Sequence, residues 1–155
     1  RIGQLNVEEH GTRDIEFGAV RLLDAQGHET GTHITGQPMV VEIPYFARTR
    51  IADPVFGYSI KTGNGFFIYG TNTQILQVPI GPVEGHGVVR LSFEPLALME
   101  GKYFLSLAVH SADHTVQYHR REDWYPFAVK NASSAYGVFQ LNGVWSHAPS
   151  TSPCK

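Results

Sequence analysis

The sequence predicts an all-β protein folded as a two-sheet antiparallel β-sandwich. Sixteen glycines and nine prolines disfavour long helices and suit tight turns. Short segments rich in Val, Ile, Thr, Tyr and Phe alternate between apolar and polar residues, which is typical of strands. These segments recur about every 10 to 15 residues, without the intervening helices that a parallel sheet requires.

The N-terminal third predicts two strands with irregular points. Within residues 13–24 the apolar alternation changes phase, so we expect a β-bulge near Gly18, followed by a turn at the segment DAQGHE. The next strand covers residues 39–47. Pro44 within it indicates an edge strand or a second bulge, because proline cannot donate a ladder hydrogen bond.

The clearest local prediction is a β-hairpin in the middle of the chain. Phe56, Tyr58 and Ile60 form an inward row, and the GNG turn at 63–65 leads into a returning strand at 66–69.

Two longer half-buried strands follow the hairpin. The inward row of the first is Val89, Leu91 and Phe93, and that of the second runs from Tyr103 to Val109. The segment PLALMEG between them has weak helical character and predicts one helical turn.

The C-terminal part predicts three further strands. Two of them, at 115–119 and 124–130, are separated by a turn at the charged segment HRRED. The last strand covers residues 136–145, and the tail at 146–155 is expected to be loose.

Length and composition restrict the kind of protein. The 155 residues suit a single domain, and we assign 1–155 to one unit. A net charge of -2 and a pI near 6.5 disfavour nucleic acid as a partner. No apolar run reaches the roughly 20 residues of a membrane span, and the N-terminal residues show no signal peptide. The single cysteine, Cys154, excludes an internal disulfide and is compatible with a reducing compartment.

Catalytic and metal-binding motifs are missing from the sequence. It contains no GxxxxGK[ST], GxSxG, HExxH or CxxC, and its carboxylates fall near predicted turns, where solvation explains them. His110, His114 and His119 could converge on a metal, but no nearby cysteine or carboxylate pair completes the shell. We therefore expect no catalytic residue, no metal and no cofactor.

The outward rows of the predicted strands suggest a binding surface. Small residues on neighbouring strands form a shallow face, which is either an ordinary solvated sheet surface or a surface for sugars. Sugars stack their C–H patches on aromatic rings and take hydrogen bonds from polar side chains. The candidate contact residues are Ser59, Lys61, Arg90, Phe104 and His110 in the outward row, with Tyr69 and Asn72 at the end of the hairpin.

Four segments of the chain point to a known family. They are GQPMVVEIPYFA at 36–47, DPVFGYSIKTGNGFFIYGTNT at 53–73, LALMEGKYFLSLAV at 96–109 and YGVFQLNGVW at 136–145. Together and in this order they resemble the C-terminal domain of Wzt proteins, the ATP-binding subunits of ABC transporters that export O-antigen polysaccharide. Because the sequence has no Walker motif, we interpret it as the carbohydrate-binding domain separated from its ATPase.

The resemblance implies non-catalytic binding of O-antigen polysaccharide, often at its modified non-reducing end. It also implies an immunoglobulin-like or jelly-roll sandwich, a cytoplasmic position at the inner face of the bacterial inner membrane, and a link to the membrane subunit through the parent protein. A homodimer that exchanges the strand at 136–145 is implied too, and the small-residue hinge ASSA before this apolar segment favours such an exchange. A generic assembly module is the alternative function, and a hydrolase is a more distant one.

Overall fold

The computed structural model describes residues 5–150, and within them the chain forms strands and no helix. The predicted residues 151–155 of the tail, with Cys154, lie outside this described part. The strands are β1 (Glu8–His10), β2 (Ile15–Phe17), β3 (Arg21–Leu23), β4 (Thr32–Ile34), β5 (Met39–Ile51), β6 (Val55–Thr62), β7 (Phe67–Asn72), β8 (Val83–Phe93), β9 (Gly101–His110) and β10 (Gln117–Lys130).

The strands form two sheets, as the all-β prediction requires. The larger sheet has six strands in the order β1-β10-β9-β6-β7, with β4 added parallel to the end of β10. The smaller sheet has four strands, in which β5 pairs with β2 and β3 along one edge and with β8 along the other. All pairings except that of β4 are antiparallel.

One hydrophobic core lies between the sheets. Alternate residues of β5 and β2 face alternate residues of β6, β9 and β10 across it. The most completely buried members include Ile15, Met39, Val41, Leu105 and Val109. The inward rows predicted for the hairpin and for β9 therefore point into the core.

The bulge near Gly18 is confirmed. The pairing with β5 shifts by one residue between β2 and β3, and the Gly18 amide donates to the Pro44 carbonyl across the irregular stretch. The edge position proposed for Pro44 is wrong, because β5 has partners on both sides. The interruption between β2 and β3 lies beside Pro44, so the missing N–H interrupts no regular pairing.

The hairpin of β6 and β7 is also confirmed. Its strands pair antiparallel through residues 57–61 and 67–72, and the Thr62 amide donates to the Phe66 carbonyl at the turn. The returning strand continues beyond its predicted end, to Asn72.

The turn predicted at HRRED is wrong. Gln117–Lys130 is one continuous strand, and the charged segment forms a bulge against β9, where the register shifts between Arg121 and Tyr125. Asp123 takes a positive φ of 48° there and points into the protein rather than into solvent. Its charge is compensated internally, which removes the reason for a solvated turn.

Two other predictions differ from the structure. PLALMEG forms no helical turn but an extended segment, from which Leu98 makes an isolated bridge to Phe139. Residues 136–145 form no strand beyond this bridge, and their side chains are exposed. The short strands β1 and β4 were not predicted, because three residues are too few for an alternation to be recognised.

Candidate functional site

A shallow depression of about 120 Å³ lies on the face of the six-stranded sheet that points away from the four-stranded sheet. We call this surface the outer face. The residues that line the depression come from β6, β7, β9 and β10, and they are Gly57, Tyr58, Ser59, Thr71, Asn72, Ser106, Leu107, Ala108, His110 and Arg120.

Strand register produces the depression from small side chains. Gly57 pairs with Ala108 of β9 and with Asn72 of β7, and Ser59 pairs with Ser106. Cα partners in neighbouring strands project to the same side, so these small residues form a low floor while longer side chains on the same face rise around it.

A charged network borders the depression and reaches it through Ser106. The Asp123 carboxylate, whose side chain is fully buried, accepts from Lys61 Nζ at 3.0 Å. The Ser106 hydroxyl accepts from the Asp123 amide at 2.7 Å and lies 3.3 Å from its carboxylate. A buried carboxylate is tolerated only with such compensation. Ser106 and Lys61 are thereby fixed in position.

Arg120 lines the depression on the β10 side, next to this network. We call Arg120 and the network together the wall of the depression. Its Nε and Nη2 both lie 2.8 Å from Oε1 of Glu122, and its side chain is 38% exposed. Because these contacts use only part of the guanidinium, the remaining donors can reach a ligand.

His110 stands at the end of the depression near the 111–116 loop. Its Nδ1 lies 2.7 Å from the Ser111 carbonyl, and its ring packs on that of His114 with centroids 4.6 Å apart. His114 contacts the Gln74 side chain through Nε2. His110 is therefore held at one ring nitrogen, and the other can bond a ligand.

Two aromatic side chains lie on the same face. Phe104 pairs with Lys61 across β6 and β9 and is half-buried. Phe67 is 55% exposed. A Cβ on Gly70 would come within 2.9 Å of the Phe67 ring and 3.2 Å of Ser59 Cβ, so glycine is what allows this ring to lie against the sheet.

The structure divides the seven sequence-predicted contact residues between three places. The five that share the outer face are Ser59, Lys61, Asn72, Phe104 and His110. Arg90 lies in β8 of the other sheet, where its Nη2 contacts Glu42 at 2.9 Å. Tyr69 pairs with the core residue Ile60 and projects beside Tyr58, on the core side of the sheet edge. The single outward row fails for Arg90, because alternation does not reveal which sheet a strand joins. Tyr69 lies in the expected hairpin strand, but its side chain is on the other side of the sheet from Asn72.

The sequence prediction missed the β10 part of the wall. Arg120, Glu122 and Asp123 were assigned to a solvated turn. Their one sequence signal is that two basic residues are followed directly by two acidic residues at 120–123, between two segments with strand character. This pattern fits a bulged strand with internal ion pairs and fits a turn equally well, so the sequence does not distinguish the two.

The three histidines considered for a metal do not converge. His119 is fully buried and points to the core side, where its Nδ1 accepts from the Phe17 amide at 2.9 Å. Within residues 5–150 no group of three or more His, Cys, Asp or Glu side chains could hold a metal ion.

His119 instead connects β10 to the N-terminal strand. Its Nε2 lies 2.7 Å from Glu9, which also accepts from Arg121. The hydrogen bonds from Arg121 and His119 lower the Glu9 pKa to about 2. Desolvation lowers the His119 pKa, so the neutral ring is favoured and can accept from the Phe17 amide.

No helix in residues 5–150 is long and apolar enough to span a bilayer. No curated protein matches the chain. The CARDB domain of the PF1109 protein from Pyrococcus furiosus aligns over 74% of this chain and 90% of its own, at 15% identity and a TM-score of 0.41, which is too low to carry an argument.

The crystal structure of the C-terminal domain of Wzt is similar with a TM-score of 0.82 and 21% identity, over 96% of this chain and 93% of that one, which shows a shared fold. The family model for the Wzt C-terminal domain matches residues 6–141. Because this match spans most of the sequence, the chain belongs to the Wzt C-terminal domain family.

Proposed function

We propose that this chain binds O-antigen polysaccharide on the outer face without altering it chemically, for export by an ABC transporter. Family membership implies the transporter context. The observation that carries the proposal is the depression itself, in which a floor of small residues is bordered by polar groups already held in place by the protein. Preorganised polar groups lose little entropy when a ligand binds, which favours weakly interacting ligands such as sugars.

The proposed contacts follow from the chemistry of each side chain. Ser59 and Asn72 exchange hydrogen bonds with sugar hydroxyls, and Arg120 donates to sugar oxygens. His110 donates through Nδ1 to the Ser111 carbonyl, so its Nε2 accepts from a sugar hydroxyl. Phe104 offers an apolar surface for C–H groups of the next sugar along the chain. Lys61 is held by Asp123, so it contributes a fixed positive edge to the depression.

Non-catalytic binding is favoured by the state of the nearby carboxylates. Glycoside hydrolysis needs one protonated carboxyl group and one free carboxylate on either side of the scissile bond. Asp123 is fully buried and held by Lys61, and Glu122 is held by Arg120. Both carboxylates are engaged and on the same side of the depression, which does not suit that chemistry.

Calorimetry with O-polysaccharide from the source strain tests the function. We expect saturable binding of the polysaccharide to the unsubstituted chain. The length of the glycan should be unchanged after prolonged incubation. Comparing polysaccharide with and without its terminal modification tests recognition of the non-reducing end. No binding to any form would overturn the proposal, and shortened glycan would replace it with a hydrolase.

We further propose that the chain is a homodimer in which the C-terminal segment of each protomer packs on its partner. Residues 138–140 hydrogen-bond to Ala97 and Met99 of the same chain, but beyond them Leu141, Val144 and Trp145 are at least 86% exposed. Side chains of this size are rarely left in water. In the proposed dimer these side chains are buried by the partner. The dimer itself lies at the inner face of the membrane, beside the membrane subunit of the transporter.

Light scattering tests the dimer. The unsubstituted chain is expected at about twice 17.2 kDa. Replacing Leu141, Val144 and Trp145 with serine should give a folded monomer. As the control, the exposed polar residues Asn142, Ser146 and His147 of the same segment are replaced with alanine, which should leave the dimer intact. An unsubstituted chain that remains monomeric at millimolar concentration would exclude the proposed dimer.

A further inference from the structure

The N-terminal strand lies directly behind the wall of the depression. Its residues Glu8 and His10 pair with Glu122 and Arg120 of β10, so β1 borders the bulge that forms the wall. Just before β1, the Asn6 amide donates to Oδ2 of Asp123 at 2.7 Å. We call residues 6–10 the N-terminal segment.

Asp123 is the point at which this segment meets the depression. Its carboxylate oxygens receive Asn6 from the N-terminal segment and Lys61 from β6, and Ser106 from β9 lies within hydrogen-bond distance. Ser106 itself lines the depression, whereas Asp123 does not. One buried carboxylate thus joins three elements, of which two form the binding surface.

The donors to Asp123 depend on one another. The carboxylate has no exposure to solvent, so water cannot replace a lost donor without a local opening. If the Asn6 amide leaves, the charge must draw more strongly on Lys61 and Ser106, and both side chains shift. If a ligand fixes Ser106 and the β10 wall, the carboxylate stays in place to receive Asn6.

We propose that Asp123 is a positioning residue that couples docking of the N-terminal segment to the shape of the outer-face depression. Glycan binding strengthens docking of the segment, and docking strengthens glycan binding by the same factor, as linkage between two sites requires. The affinity part of this inference rests on the proposed function, whereas the coupling between segment and depression does not.

A pair of variants at Asn6 isolates the hydrogen bond. Asn6→Pro removes the backbone donor to Asp123, while Asn6→Ala keeps that donor and removes only the exposed side chain. Without ligand, we expect the amide of Asp123, which donates to Ser106, to exchange with deuterium at least about fivefold faster in Asn6→Pro than in Asn6→Ala. Amides of β3 and β8 in the four-stranded sheet should exchange equally in both, which separates coupling from general destabilisation.

The reverse direction uses Asp123→Asn. This variant should speed exchange in the N-terminal segment by a similar factor, with β3 and β8 of the four-stranded sheet again unchanged. If it does not fold, Lys61→Met probes the same carboxylate from the other side and should likewise disturb exchange at Asn6. Equal exchange at Asp123 in the two Asn6 variants would overturn the coupling, whatever the protein binds.

The last measurement uses O-polysaccharide as the probe. Asn6→Pro should bind it at least about fivefold more weakly than Asn6→Ala, which should match the parent. Equal affinities would overturn the effect of docking on binding. Absence of binding by the parent would refute the proposed function instead, and the coupling is then judged by the exchange data alone.

Discussion

The outward surfaces of the two sheets each carry a carboxylate that forms ion pairs, with two cations on one sheet and one on the other, and in different surroundings. On the four-stranded sheet, Glu42 bridges Arg21 at 2.7 Å and Arg90 at 2.9 Å, and the two arginine side chains are 46% and 63% exposed. On the six-stranded sheet, Asp123 is fully buried and Lys61 is mostly buried. The ion pairs thus form an exposed ladder on one sheet and a closed network on the other.

The bulge in β10 causes this difference. On the four-stranded sheet the register is regular through Glu42, so the two arginine side chains extend from their strands into water on either side of it. On the six-stranded sheet the extra residues of the bulge turn the Asp123 side chain down over small neighbours such as Ser106. Ion pairs therefore become structural where the backbone is irregular and neighbouring side chains are short.

The largest difference between the surfaces should appear in stability. Replacing Asp123 with alanine leaves Lys61 without its main partner and opens a buried polar site, so we expect a loss of about 3–5 kcal/mol. Glu42→Ala should cost several-fold less, because both arginines then turn to water. Urea unfolding followed by circular dichroism measures both losses, and similar losses would mean that burial does not distinguish the two networks.

The next largest difference between the two surfaces should appear in the affinity for polysaccharide. Arg120→Ala removes a donor from the wall of the depression, and we expect binding of O-polysaccharide to weaken by about tenfold or more. Arg90→Ala removes an arginine from the other sheet and should bind like the parent. Calorimetry measures both affinities, and circular dichroism verifies the folds. A stronger effect of Arg90→Ala would move the binding surface to the four-stranded sheet.

Much of the fold could be predicted because the alternation of apolar and polar residues along a strand shows that one side of the strand is buried. The row Tyr103, Leu105, Leu107 and Val109 is buried as a group, and the phase change at Gly18 marks a real bulge. Residues 136–145 were predicted as a strand from their apolar character alone. That character does not say which partner buries them, and within one protomer they remain exposed.

The candidate site was predicted only in part, for two physical reasons. Ser59 and His110 share one face because their strands lie in the same sheet, whereas Arg90 has the same alternation in a strand of the other sheet. Asp123 was assigned to solvent because charged residues are rarely buried. Its burial depends on donors from Asn6 and Lys61, which are distant in sequence and become neighbours only in the fold.

A smaller effect is expected from the aromatic platform. Phe104→Ala removes a half-buried ring from the outer face, and we expect glycan affinity to fall by about 1 kcal/mol, with a smaller loss of stability. Val88 is its counterpart on the outward surface of the four-stranded sheet and is 51% exposed, so Val88→Ala should leave affinity unchanged. Unchanged binding by Phe104→Ala would exclude the ring from the contact surface.

The smallest effect concerns salt and pH, and it tests whether the two networks differ in solvent screening. The hydrogen bonds from Arg21 and Arg90 lower the Glu42 pKa, so its contribution to stability is present at neutral pH and is lost as the pH falls below the ordinary value of 4.5. Both arginine partners are exposed, so salt can screen these pairs. Raising the salt concentration from about 0.1 to 1 M, which shortens the Debye length from about 10 to 3 Å, should therefore remove most of the loss caused by Glu42→Ala at pH 7. The loss caused by Asp123→Ala should persist in the same salt, since ions cannot enter between Asp123 and Lys61 without unfolding the wall. Urea unfolding of the parent and both variants at the two salt concentrations makes the comparison. Equal sensitivity to salt would show that water and ions reach Asp123, and the difference between the two surfaces would then be one of geometry only.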